Sequence, residues 1–209
     1  MCLFIKSYSM KRVLLVVLAL VALSPSLMAQ KKKASKKDAA EATEIKWMSL
    51  DDVQVAMKKA PKKVYIDVYT DWCGWCKVMD KKTFTNPNVI KYMNENFYAV
   101  KLNAEQKDSI RFMGKMYGFA PEYRANMFAI ELLRGQMSYP SSVILEEDFQ
   151  NPQAIPGYLD VATMEKILKY LGENIYKTKQ FPEFDKEFQS TWVSETLSPA
   201  QGSKAPAAQ

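Results

Sequence analysis

The sequence predicts an α/β domain, a sheet with helices on both faces, from two observations. Strand-like and helix-like stretches alternate along the chain, which is the pattern of α/β sheets. One stretch, Val64 to Tyr69, is apolar or aromatic on both faces apart from Asp67, as a central buried strand requires. Of the 209 residues, 48% are hydrophobic and 25% charged, so the chain can build an ordinary globular core.

The elements follow in order. Ser49 is placed as a helix N-cap with Asp52 three residues on, and Leu50, Val53, Met57 and Ala60 recur at helical spacing until Pro61 stops the helix. After the Val64 to Tyr69 strand, Phe97 to Leu102 reads as a second strand. Ala125 to Arg134 reads as a helix with Met127, Ile130 and Leu133 or Arg134 on one face, ended by Gly135. Ser142 to Leu145 is a third strand, and Ile155 to Tyr158 is a short edge strand marked by Pro156 and Gly157. Two apolar stripes then predict helices docked on the core: Val161, Met164, Leu168 and Leu171, and later Phe181, Phe184, Phe188 and Trp192.

These elements fill a domain expected over residues 45–195, of ordinary single-domain size. Ahead of it, residues 1–29 read as an export signal: Lys6, Lys11 and Arg12 form a basic start, Val13 to Leu23 is an apolar run, and Ser24-Pro25 precedes a small residue at Ala29. The run is shorter than the roughly 20 residues of a spanning helix, so the expectation is cleavage after Ala29 and an exported, periplasmic protein. Residues 30–44, with Lys31, Lys32, Lys33, Lys36 and Lys37, read as a basic flexible linker, and 196–209 as a disordered tail. Lys6, Lys11 and Arg12 account for three of the net +6 charges, and no patterned basic face remains. Nucleic-acid binding is therefore not expected.

The chain has no histidine, which excludes His-ligated metal, Ser-His-Asp and Cys-His catalysis. Its three cysteines are Cys2, discarded with the leader, and the pair Cys73 and Cys76. Cys73-Gly74-Trp75-Cys76 stands at the end of the central strand, where a helix should begin, and a separation of three puts both sulfurs on one side of the first turn, close enough to join. Cys73 at the helix N-terminus should have a lowered pKa, because unpaired backbone N–H groups and the helix dipole favour thiolate. Cys76, one turn inside, should be the more buried and act as the resolving thiol. A zinc site would need two further ligands that the exported chain lacks, so no metal is expected. A purely structural disulfide of this spacing would close a very short loop and remove little chain entropy. No Gly-rich nucleotide fingerprint is present, and no cofactor is expected.

The segment Asp67-Val68-Tyr69-Thr70-Asp71-Trp72-Cys73-Gly74-Trp75-Cys76-Lys77 resembles the active-site segment of the thioredoxin superfamily, in particular of exported thioredoxin-like proteins with tryptophan inside the redox motif. The likeness runs from Ile45 to about Ile175. It implies a thioredoxin-like fold, a central mixed sheet flanked by helices. It also implies that Asp67, six residues before Cys73, is a buried acid assisting proton transfer at Cys76, that Lys101 partners Asp67, and that Tyr139-Pro140 is a cis-proline loop opposite Cys73. A carboxylate on a central strand should have a pKa raised by burial and partly countered by Lys101. Trp72 and Trp75 either contact peptide substrates or pack around the site.

One departure stands out. The stretch before Pro140 is longer than in compact thioredoxins and inserts the Ala125 to Arg134 helix; either Phe119 to Gln136 shapes the wall of a substrate groove, or it is a packing insertion.

The expected function is that of an exported thiol-disulfide oxidoreductase. Gly74 and Trp75 carry no charge to stabilise the Cys73 thiolate, which favours a reducing couple and a protein disulfide reductase. Its substrates would be exported proteins with oxidised cysteine pairs, and a membrane or exported protein would supply electrons. A disulfide oxidase or isomerase using the same cysteines is the alternative within this chemistry, and a non-catalytic peptide-binding module is the alternative outside it.

Overall fold

The computed structural model describes residues 42–193. The leader over 1–29, most of the linker over 30–44 and the tail over 196–209 lie outside the described residues. Strand β1 (Trp47–Met48) leads into helix α1 (Leu50–Lys59). Ser49 caps α1 by accepting the Asp52 N–H at 3.1 Å, Asp51 and Asp52 lie at the positive end of its dipole, and Lys58 and Lys59 lie at the negative end. Pro61 turns Ala60 to extended backbone and ends the helix. Strand β2 (Lys63–Tyr69) then runs into the cysteine motif, from which helix α2 (Gly74–Lys82) starts.

Helix α3 (Pro87–Asn96) adds to the sequence expectations. Its signal is local: the Asn86 side chain accepts the N–H groups of Asn88 and Val89, Pro87 occupies the first turn, and Val89, Ile90 and Met93 are buried. Strand β3 (Phe97–Asn103) follows directly, then the hairpin of β4 (Ile110–Phe112) and β5 (Lys115–Tyr117), also unforeseen, turning on Met113 and Gly114, both at positive φ.

The inserted segment differs from its expected form. Ala125–Asn126 is a strand, β7, paired with β6 (Phe119–Ala120), and helix α4 covers only Met127–Leu132. The cause is the buried Asn126, whose side chain accepts the Phe128 N–H at 3.0 Å and so starts the helix two residues later than its apolar pattern suggests. The buried face is Phe128, Ala129, Leu132 and Leu133, whereas Met127 is 44% exposed. Gly135, at positive φ, terminates the helix region as expected, its N–H reaching Ile130 O at 2.9 Å.

Strand β8 (Ser141–Leu145) pairs with β9 (Gln153–Pro156). The edge strand ends two residues earlier than predicted, because Gly157 adopts φ +95° and donates its N–H to Pro140 O at 2.8 Å. Helix α5 (Val161–Gly172), capped by Asp160, buries Met164, Leu168 and Leu171 from its predicted stripe, and Ile167 and Tyr170 besides.

The main sheet has the order β1-β3-β2-β8-β9, with β1, β3 and β2 parallel and β8 and β9 antiparallel to their neighbours. The expected α/β class, a mixed sheet flanked by helices, is the one observed. Val64, Ile66 and Val68 of β2 face α1, the hairpin β4–β5 and α4, while Tyr65 faces α2, α3 and α5. The two-residue side-chain period thus assigns each face of one strand to a separate apolar cluster. Among the described residues no helix is long and apolar enough to cross a membrane.

The last aromatic stripe is not one helix. Helix α6 (Phe181–Glu187) stops before Phe188, and Trp192 returns to stack near Tyr92, with ring centroids 5.4 Å apart. What ends the helix is Glu165, a fully buried carboxylate on α5. It accepts bonds from the N–H groups of Thr191 (2.9 Å) and Trp192 (3.0 Å), from the hydroxyls of Ser190 (2.6 Å) and Thr191 (2.7 Å), and from the Lys169 ammonium (2.6 Å). Burial alone would raise its pKa, but these donors prevail and hold it at about 2. Phe184 and Trp192 still pack against the core.

A carboxyl held at about 2 instead of its usual 4.5 contributes stability that is full above the usual value and is lost as pH falls toward about 2. Glu165→Gln is therefore expected to cost about 3 kcal/mol at neutral pH, with the gap to wild type narrowing near pH 3. Denaturant midpoints at the two pH values measure it; an equal gap at both would remove the carboxylate charge as the cause.

Candidate active site

The cysteine motif takes its geometry from the end of β2. The Cys73 N–H closes a turn onto Thr70 O at 3.2 Å, and Cys73 then serves as the N-cap of α2 with extended backbone, φ −70° and ψ 106°. Its Sγ accepts the Cys76 N–H at 3.1 Å, and no acidic residue lies in the first turn. A sulfur in this position meets the unpaired N–H end of a helix, where negative charge is stabilised. Cys73 and Cys76 form a disulfide with Sγ–Sγ 2.06 Å and Cα atoms 5.3 Å apart. The expected difference in burial is absent: Cys73 is 3% exposed and Cys76 4%. Position on the helix, and not burial, therefore distinguishes the two cysteines.

Asp67 and Lys101 are direct register partners across β2 and β3. The Lys101 ammonium donates to Asp67 Oδ2 at 3.0 Å, and Asp67 is 1% exposed. Burial pushes the Asp67 carboxyl up to about 6 against the pull of Lys101. Asp67 Oδ1 has no hydrogen-bond partner, so half of this carboxylate is desolvated without compensation. Lys101 also binds Asp80 Oδ1, and the rings of Trp47, Tyr69 and Phe84 lie 5.1–5.5 Å from its ammonium. Burial opposes its charge, yet Asp67 and Asp80 together raise its pKa above the usual lysine value. Asp80 was not foreseen; its signal is the spacing of four from Cys76 along α2, which puts both on one helix face.

Trp72 and Trp75 are 66% and 56% exposed. Trp72 donates its indole N–H to Glu105 at 3.1 Å and meets Tyr139 edge-on at 5.9 Å, while Trp75 lies 5.3 Å from Tyr158. The Tyr139-Pro140 peptide is cis and Pro140 is buried. Beside it opens a cavity of about 320 Å³ lined by Trp75, Tyr139, Pro140, Gly157 and Tyr158. The structure thus gathers Trp75, Tyr139 and Pro140 around one cavity and sets Trp72 against Tyr139, with the Asp67–Lys101 pair behind them in the sheet. Tyr158 and Gly157 complete the wall and were read from sequence only as strand residues. Among the described residues no group of three or more His, Cys, Asp or Glu side chains is arranged to hold a metal ion.

A family model, Thioredox_DsbH, described as a protein of unknown function (DUF255), matches residues 27–183. The chain is 31% identical over 98 residues to the uncharacterized protein B0495.5 of Caenorhabditis elegans, covering 46% of this chain and 12% of that protein. It is 37% identical over 46 residues to the thiol:disulfide interchange protein DsbD of Pectobacterium atrosepticum, covering 22% of this chain and 8% of that protein. The matched segments are thus a small part of these relatives. A solved structure of a DsbH oxidoreductase is similar at 13% identity and a TM-score of 0.48, covering 69% of this chain and 96% of that one.

The Asp67 pKa has a definite consequence. With the folded value at about 6 against an ordinary 3.8, the ionised form penalises the fold; the penalty is absent below the ordinary value and complete above about 6. Asp67→Asn is expected to stabilise the protein by up to about 3 kcal/mol at pH 8 and to leave it unchanged near pH 4. Urea unfolding across that range checks the sign, and a pH-independent difference would mean that the carboxyl is not titrating in the fold.

Proposed function

The chain belongs to the Thioredox_DsbH family, and from that premise we propose that it is an exported thiol-disulfide oxidoreductase acting as a reductase of other exported proteins. The observation that carries the reading is the Cys73–Cys76 disulfide on the first turn of α2, with the Cys76 N–H on Cys73 Sγ and with Trp75, between the two cysteines, lining the Pro140 cavity. Nothing about a structural staple calls for that placement at a helix N-terminus among exposed tryptophans.

In the reduced protein the Cys73 thiolate attacks one sulfur of a substrate disulfide, forming a mixed disulfide and releasing the other substrate sulfur as a thiolate that takes up a proton. Cys76 then gives its proton to Asp67 and attacks Cys73 Sγ. The Cys73–Cys76 bond forms, the mixed disulfide breaks, and the second substrate sulfur is expelled as a thiolate that takes up a proton from Asp67 or water, so that the substrate leaves as a dithiol, reduced by two electrons. A base with a pKa of about 6 suits this step, since it is largely ionised at neutral pH and still basic enough to accept a thiol proton. Lys101 orients Asp67 and limits the rise of its pKa. Trp72, Trp75, Tyr139 and Pro140 are assigned to holding the substrate chain.

The reductive direction is supported by Gly74 and Trp75, which bring no cation to the Cys73 sulfur. Export is supported by the basic start, the Val13 to Leu23 run and Ala29. A membrane or exported dithiol protein would return Cys73–Cys76 to the reduced state, since an oxidising compartment does not.

The equilibrium potential of the pair, titrated in graded thiol-disulfide buffer and read by tryptophan fluorescence, is expected near the thioredoxin value of about −270 mV. A result near about −120 mV would reverse the direction to disulfide formation. In a second test, Cys76→Ser should accumulate a covalent mixed disulfide with a protein substrate, seen by mass spectrometry, and Cys73→Ser should not; equal trapping by both variants would overturn the assignment of the nucleophile.

A further inference from the structure

A cavity of about 540 Å³ adjoins the redox site on the Trp72 side, lined by Trp72, Glu105, Tyr123, Arg124, Met137 and Tyr139. Tyr139 also lines the cavity beside Pro140, so the two form neighbouring compartments of one surface. The Trp72 indole stands 66% exposed yet is fixed at two points, by its N–H bond to Glu105 and by the edge contact with Tyr139. Tyr123 is 59% exposed.

The opposite wall is the turn between β6 and β7, and it is tied to the redox strand. The Ala104 N–H binds Tyr69 O at 2.8 Å, the Asn126 N–H binds Ala104 O at 2.7 Å, and the Met127 N–H binds Gly118 O at 2.9 Å. The end of β2 that delivers Cys73 thus also delivers Tyr123 and Arg124. Arg124 sits at φ +52°, a left-handed conformation that Gly or Asn adopts at lower cost. A long cation kept at a strained turn beside a cavity suggests use at that cavity. Among the described residues no carboxylate lies within ion-pair distance of Arg124, and Glu105 in the same cavity accepts the Trp72 N–H.

We propose that this cavity is a recognition subsite for the protein partner in thiol-disulfide exchange, taking a large apolar side chain near the partner's cysteine and a neighbouring carboxylate on Arg124. The inference rests on the proposed function for its partner. Aromatic rings and a thioether supply the apolar contact, as anchor pockets in protein recognition do, and the unpaired guanidinium supplies charge complementarity through hydrogen bonds to a carboxylate.

The test uses the oxidised full chain and labelled peptides in which serine replaces the partner cysteine, so that binding is read by anisotropy without turnover. A peptide with Phe and Asp beside the serine is expected to bind about tenfold tighter than one with Ala and Lys, about the effect of one charge-assisted hydrogen bond. Arg124→Gly, which also relieves the backbone, should abolish the preference for Asp over Lys, and Tyr123→Ala should weaken that for Phe over Ala. Equal binding of the two peptides, no binding by either, or preferences unchanged in both variants would overturn the proposal. Self-association that excludes the peptides would overturn it too, by assigning the cavity to a second copy. Exchange of the wild type with a small disulfide, run in parallel, reads the proposed function separately: its failure with peptide preference intact would remove that function and leave the subsite.

Discussion

A strand buried on both faces has little tolerance for an unpaired charge, and β2 carries one at Asp67. Its register with Lys101 on β3 is what makes the charge bearable. A slip of one residue would turn Asp67 into the opposite cluster and Lys101 away from it, since side chains alternate along a strand. The apolar residues Val64, Ile66 and Val68 on one face and Tyr65 on the other fix the same register independently. Packing and electrostatics therefore specify a single alignment of the two central strands.

That alignment also places the chemistry. Beyond Tyr69 the chain turns through Thr70 to Cys73, and the exposed end of α2 begins there. The strand supplies a rigid base, the helix supplies unpaired N–H groups for sulfur, and the Pro140 loop is joined to Gly157 of the edge by a backbone bond. Three elements distant in sequence thus converge because β2 is central and β8 and β9 lie beyond it. The order of strands brings the cis-proline loop to the cavity that Trp75 of the cysteine motif also lines; no local property of Tyr139 or Pro140 does so.

The sequence made legible what depends on local pattern. The cap at Ser49, the stop at Gly135, the buried strand and the cysteine pair at its end all follow from residue type and spacing. Asp67, Lys101 and Pro140 were legible through likeness to a family, since nothing in their own neighbourhoods marks a partner. What escaped depends on tertiary bonds. Asn126 shortened α4 because its side chain, buried by the β4–β5 hairpin, was committed to the Phe128 N–H. Glu165 ended α6 by capturing backbone N–H groups 26 and 27 residues away. Periodicity reports which residues are apolar; it does not report where a buried polar group will interrupt the helix that carries them. The equal burial of Cys73 and Cys76 escaped for a similar reason, because it depends on the packing of the whole fold and not on their order along one helix.

The direction proposed for the redox reaction can be traced to the same central pair. A cation near a redox cysteine favours thiolate, stabilises the reduced form and makes the couple more oxidising. Lys101 is a half-buried cation in this part of the sheet, and two carboxylates, Asp67 and Asp80, share it. Three aromatic rings surround its ammonium. With Asp67 ionised, the cluster carries no net positive charge that could act on Cys73. Thiolate stabilisation then falls to the helix end and the Cys76 N–H, a contribution present in any Cys-x-x-Cys at a helix N-terminus. The carboxylates that make Lys101 tolerable inside the sheet also withhold its charge from the sulfur, which argues for the reducing side of the range.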